Sequence, residues 1–68
     1  MDDETFNLSI RKFLKIVGIG SQREIERAVA QGIEEGAIKG AESFPAHMTL
    51  VVQGLNIQIS FDGNIRLQ

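Results

Sequence analysis

The sequence predicts an α+β domain in which two N-terminal helices pack on a C-terminal antiparallel β-meander, in the order α-α-β-β-β. Two observations support this fold class. Apolar residues recur at helical spacing in the first half of the chain, and they alternate with polar residues in the second half. A length of 68 residues suits one small domain, so residues 1–68 are assigned to a single unit.

The first predicted helix covers residues 3–17. Its apolar residues fall on one helical face at i, i+4, i+7, i+8 and i+11. Asp2 or Asp3 can accept hydrogen bonds from the first free backbone amides, and Gly18 can adopt the left-handed conformation that commonly ends a helix. The face consists of Phe6, Ile10, Phe13, Leu14 and Val17.

The second predicted helix covers residues 22–35. The segment Gly18-Ile19-Gly20 is interpreted as the turn before it, and Ser21-Gln22-Arg23-Glu24 fits a capping box. Gly36 is the predicted stop. Small residues recur every four positions and allow close packing, either between the two helices of one chain or between two chains. They are Ala28, Gly32 and Gly36.

Three strands are predicted, over residues 46–53, 55–61 and 65–67. A two-residue turn at Gln53-Gly54 pairs Val52 with Leu55 and places the apolar side chains on one face.

The second predicted turn contains Asp62-Gly63. A loop of three residues, 62–64, is favoured because a two-residue loop would send Ile65 to the polar face.

Several segments resemble a family of short uncharacterised bacterial proteins, a domain of unknown function. The resemblance implies a free-standing bacterial protein, and it carries no activity over to this chain. Gln53 departs from the acidic residue that the family has at that turn. The segments are Thr5-Phe6-Asn7, Ser9 to Lys15, Ser21 to Glu26, Lys39-Gly40 and Asp62-Gly63.

Composition narrows the classes of function. The chain has no cysteine and one histidine, so disulfides and thiolate metal sites are excluded, and no metal or cofactor is expected. The acidic N-terminus lacks the features of a secretory signal. The longest apolar run, residues 50–52, is far too short to span a membrane. A soluble cytoplasmic protein without a membrane partner is therefore expected.

Catalysis is not expected. His47 is the only side chain whose ordinary pKa lies near neutral pH, and the predicted strand gives it no neighbouring nucleophile or carboxylate. It is interpreted as a surface histidine. The glycines at 18 and 20 lack the third glycine and the preceding strand of a dinucleotide fingerprint. The chain is therefore predicted not to be an enzyme.

A basic helical face offers one alternative function. It could make the protein a weak nucleic-acid-binding accessory protein, although a solvated face explains the same charges and the net charge of −2 argues against nucleic acid. The face consists of Arg11, Lys12, Lys15, Arg23 and Arg27.

Three apolar residues lie off the predicted core faces and form the candidate self-association set, Leu8, Ile16 and Val51. Several such residues on so small a domain indicate a contact with another chain. The preferred interpretation is a small non-enzymatic interaction or scaffold protein that acts as a homodimer, with an unidentified protein partner.

Overall fold

The computed structural model describes all residues, 1–68, as two compact units, Met1–Ala37 and Ile38–Gln68. The first unit contains a single helix, α1 (Asp3–Glu34), and the second contains two strands, β1 (Ser43–Val52) and β2 (Ile57–Arg66). The predicted fold of two helices and a three-stranded meander is therefore wrong. The element order is α-β-β.

Asp2 caps the start of α1. Its Oδ1 accepts the backbone N–H groups of Glu4 and Thr5 at 3.0 and 3.2 Å, and its Oδ2 accepts the Thr5 hydroxyl at 2.9 Å. These bonds, the Thr5 N–H above all, lower the pKa of the Asp2 carboxyl because they favour its charged form. The sequence left Asp2 and Asp3 as alternatives, and the structure selects Asp2.

Gly36 ends the helix, at the stop that the sequence predicts. It has a φ of 80°, a conformation that glycine adopts without steric cost. Its N–H donates to the Ile33 carbonyl at 3.1 Å, and the Ala37 N–H donates to the Gly32 carbonyl at 2.9 Å. This pair of bonds is a Schellman motif, which satisfies carbonyls that the helix end would otherwise leave free.

α1 continues without a break through Gly18-Ile19-Gly20, so the predicted turn and the capping role of Ser21 are wrong. Neither Gly18 nor Gly20 has a positive φ. Each glycine costs a helix only about 1 kcal/mol relative to alanine. A break would cost more, because the second helix would need its own nucleus and two further sets of capped ends.

Replacing Gly20 by alanine tests this continuity. A Cβ built at Gly20 meets no atom within 4 Å, and the backbone there is helical. We therefore expect Gly20→Ala to raise the free energy of unfolding by about 1 kcal/mol. Urea unfolding followed by far-ultraviolet circular dichroism measures the change.

Gly36→Ala is the matched control. It also has open space around a new Cβ, but its φ of 80° disfavours any L side chain, so this variant should lose stability. Destabilisation by Gly20→Ala would contradict an unbroken helix and favour a turn at residues 18–20.

β1 and β2 form an antiparallel hairpin with Val52 opposite Ile57 and Ser43 opposite Arg66. The predicted pairing of Val52 with Leu55 is wrong, because the loop has four residues, 53–56, and not two. Gly54 and Asn56 take φ values of 93° and 54°, and these left-handed residues let the longer loop close. The register shifts by two residues, so the alternation of the two faces is preserved.

The predicted third strand is instead the end of β2. β1 begins at Ser43, three residues before the predicted start, and its residues 43–47 supply partners for the segment 62–66. That segment therefore remains extended through Gly63 without turning. Pro45 is tolerated within β1 because both strands of a two-stranded sheet are edges, where an N–H can be absent.

Candidate association surfaces

One straight line of mainly apolar residues runs along α1, and we call it the helix seam. Its members are spaced by 4, 4, 3, 4, 4, 3 and 4 residues, and none of them is charged. Eleven residues make slightly more than three turns of α-helix, so a line with this repeat stays close to one face. The seam consists of Phe6, Ile10, Leu14, Val17, Ser21, Ile25, Ala28 and Gly32.

The helix seam has no covering element within its own unit. No residue of α1 is buried, and 49% of Phe6 and 56% of Leu14 are exposed. An apolar helix face of this kind ordinarily lies against a core. The seam is therefore a surface suited to contact with other apolar groups.

The hairpin has a second apolar surface, which we call the hairpin apolar face. It is continuous because the register places apolar residues opposite one another, as with Leu50 and Ile59 or Met48 and Phe61. Within this unit nothing covers it, and 59% of Phe61 is exposed. The face consists of Phe44, Ala46, Met48, Leu50, Val52, Ile57, Ile59, Phe61 and Ile65.

The three residues predicted for self-association lie on neither surface. Leu8 and Ile16 are on the opposite side of α1 from the helix seam, and 71% of Ile16 is exposed. Val51 is on the polar side of the hairpin, opposite Gln58. The helix seam cannot be seen in the sequence when α1 is divided into two helices. The in-phase spacing of Val17, Ser21 and Ile25 across the presumed turn was the available signal.

The basic residues are only partly grouped. Lys12, Lys15 and Arg23 line an open groove over Ile16, Ile19 and Gly20. Arg27 pairs with Glu24 at 3.2 Å, in an exposed ion pair of the kind that contributes little to stability.

His47 has a carboxylate neighbour that the sequence analysis did not predict. The register places Asp62 opposite His47, and the next pair on the polar side, Thr49 and Ser60, shares a hydroxyl–hydroxyl hydrogen bond of 3.0 Å. Asp62 was assigned to a turn, so its cross-strand position could not be seen. All four residues are exposed on the polar side of the hairpin.

Glu42 fixes the segment that leads into β1. Its carboxylate accepts the backbone N–H groups of Lys39, Gly40 and Ala41 at 2.9, 2.8 and 3.0 Å. Its own carbonyl accepts the Leu67 N–H at 3.0 Å. The amide bonds, from Lys39 first and then Gly40, lower the pKa of the Glu42 carboxyl because they favour its charged form.

Stability should consequently fall in acid. A carboxyl whose pKa is lower in the folded than in the unfolded chain stabilises the fold above its unfolded pKa. That contribution disappears as the pH falls through the lowered folded value. For Glu42 and Asp2 the ordinary values are 4.5 and 3.8, so we expect the loss to begin below about pH 5.

Urea unfolding at a series of pH values tests this expectation on Glu42→Gln. The variant should be less stable than the parent at neutral pH, and its stability should decline less in acid. Glu34→Gln is the control, since the Glu34 carboxylate accepts no hydrogen bond in the structure. Identical acid profiles for the parent and Glu42→Gln would contradict the role assigned to the three amide bonds.

No helix in the structure combines the length and the apolar character needed to cross a bilayer.

Comparison with known proteins places the chain in a family. No curated protein and no solved structure matches it. The family model DUF6494, described as a family of unknown function, matches residues 1–68 and confirms the resemblance to a domain of unknown function. The chain belongs to the DUF6494 family.

Proposed function

We propose that this protein is a small non-enzymatic interaction protein that acts as a homodimer. One observation carries the proposal: neither unit buries a residue within itself, although each unit has a continuous apolar surface. A chain of this length ordinarily removes about 60% of its unfolded surface from water when it folds. Contact with another chain supplies the missing burial.

Each unit supports this proposal separately. The second unit is one two-stranded hairpin, and an isolated hairpin of this kind is marginally stable in water at best. The first is one helix, whose apolar face needs a partner for most of its stability. A second copy of the same chain is always available at equal concentration, and two-fold dimers are the commonest assembly of soluble proteins.

The proposal places the protein in the bacterial cytoplasm, following the family resemblance and the absence of cysteine in the sequence. It includes no catalytic step. The exposed polar side of the hairpin supports this view, because catalytic acid–base groups usually work in sites that exclude water. A further protein partner would bind to the assembled dimer.

Sedimentation equilibrium tests the proposal directly. We expect about twice the chain mass of 7.5 kDa at micromolar concentration, with a melting temperature that rises as protein is added. The melting temperature depends on protein concentration because only folded chains associate. A monomer whose melting temperature does not change on dilution would refute the proposal.

Nucleic-acid binding is the second candidate, favoured by the grouping of Lys12, Lys15 and Arg23 along one groove. Binding through so few charges should be weak and should disappear as salt approaches about 200 mM. A mobility shift that survives that salt concentration and is lost in Lys12→Glu/Arg23→Glu would favour nucleic-acid binding over the proposed interaction role.

A further inference from the structure

We propose that the second copy docks antiparallel along the helix seam, with the two-fold axis crossing the seam midway between Val17 and Ser21. This inference rests on the proposed homodimer and adds its interface and its direction. It follows from the size order of the seam residues, from the position of the charges and from the area that two copies can cover.

The helix seam is bulky at one end and thin at the other. Phe6, Ile10 and Leu14 occupy its N-terminal part, whereas Ala28 and Gly32 occupy its C-terminal part. Two copies running in opposite directions match a larger residue with a smaller one in three of four facing pairs, and the fourth pairs two aliphatic residues of similar size. The facing pairs are Phe6 with Gly32, Ile10 with Ala28, Leu14 with Ile25, and Val17 with Ser21.

A parallel dimer matches the same residues badly. It places Phe6 against Phe6 at one end and Gly32 against Gly32 at the other. Packed helices lie about 8–10 Å apart, depending on the side chains at the contact, so two straight helices cannot suit both ends. Either the aromatic end is crowded or a void remains at the glycine end, and both reduce stability.

Charge is consistent with the antiparallel direction. The seam has no charged member along its 27-residue span from Phe6 to Gly32, so docking buries no unpaired ion. The basic residues Lys12, Lys15 and Arg23 lie on the other side of α1, where they remain in water. Antiparallel helices also place opposite ends of their macrodipoles side by side, which is favourable.

The available area is sufficient only if both surfaces contribute. The seam is about 39 Å long and the helix about 10 Å wide, which makes about 400 Å² per chain. The hairpin apolar face is about 33 Å by 10 Å and adds about 330 Å² per chain. Two copies then bury about 1,500 Å², within the standard range of about 1,200–2,000 Å² for stable interfaces. The helix seams alone stay below this range, so the second copy also covers the hairpin apolar face.

A single spin label at position 34 tests the direction. The chain has no native cysteine, so Glu34→Cys provides one labelling position at the end of α1, away from the seam. In the antiparallel dimer residue 34 lies beside residue 4 of the partner, and the two labels are about 45 Å apart along the axis. In a parallel dimer both labels are at the same level, less than about 25 Å apart.

Pulsed electron-spin measurement on a dimer verified by sedimentation therefore separates the outcomes. A distance of about 45 Å or more supports the proposal. A short distance overturns the antiparallel direction and leaves the homodimer intact. A monomer in sedimentation overturns both.

A size exchange provides a second test that does not depend on the label. Gly32→Phe should weaken association about tenfold or more, because the new ring meets Phe6 of the second copy. Adding Phe6→Ala to Gly32→Phe should restore association, since the pair of facing positions then again contains one phenylalanine and one small residue. Gly20→Phe, which has open space on α1 away from the seam, should leave association unchanged. Tighter association of Gly32→Phe, or no rescue by Phe6→Ala, would overturn the proposed pairing.

Discussion

Leu14→Asp should abolish self-association at micromolar concentration, whereas Ile16→Asp should leave it nearly unchanged. Leu14 lies on the helix seam, and Ile16 lies on the opposite side of α1. Burying a leucine stabilises by about 1.5–3 kcal/mol, and a symmetric dimer buries it twice. A carboxylate there would also have to be desolvated without a partner. The combined loss corresponds to about a thousandfold or more in the dissociation constant.

The two variants are matched because each introduces the same residue into the interior of the same helix. Sedimentation equilibrium gives the dissociation constants, and circular dichroism gives the remaining helix content. Loss of association in Ile16→Asp but not in Leu14→Asp would transfer the interface to the surface that includes Leu8. That surface is the one predicted from the sequence.

Ile59→Lys should unfold the hairpin, whereas Gln58→Lys should have little effect. Ile59 lies on the hairpin apolar face opposite Leu50, and 51% of it is exposed. Gln58 is its neighbour on the polar side. Placing an ammonium group on the apolar face removes a contact worth about 1.5–3 kcal/mol in the covered state. A two-stranded hairpin is marginally stable, so a loss of this size is enough to unfold it.

Amide hydrogen exchange of β1 and β2 measures this effect. Protection of both strands should be lost in Ile59→Lys and kept in Gln58→Lys, since each variant adds the same side chain to the same strand. Equal protection in the two variants would show that the hairpin apolar face contributes nothing to the folded state.

Local chemistry made some features predictable from the sequence. A carboxylate before the first helical turn, at Asp2 or Asp3, and a glycine after the last turn, at Gly36, located the two ends of α1 from the sequence. Period-two alternation assigned the faces of the hairpin correctly even though the register was wrong, because the observed shift is an even number of residues.

Local sequence signals failed at two sites where the residues agree equally well with two different backbone structures. Gly18 and Gly20 suit a turn. They also fit a helix, in which each of them reduces stability by about 1 kcal/mol relative to alanine. Asp62-Gly63 suits a turn, and it also fits an extended strand if a partner strand is present. Propagation of the helix decided the first case, and the early start of β1 at Ser43 decided the second.

The sequence by itself determined that α1 starts at Asp2 or Asp3 and stops at Gly36, which side chains alternate between the hairpin faces and which chemistries are excluded by the absence of cysteine. The tertiary structure decided that there is one helix, that β2 is continuous, that Asp62 lies opposite His47 and that Glu42 accepts three backbone amides. The reason is the range of the interactions. Caps and alternation depend on neighbours a few residues apart, whereas strand pairing depends on which distant segment is available to receive the hydrogen bonds.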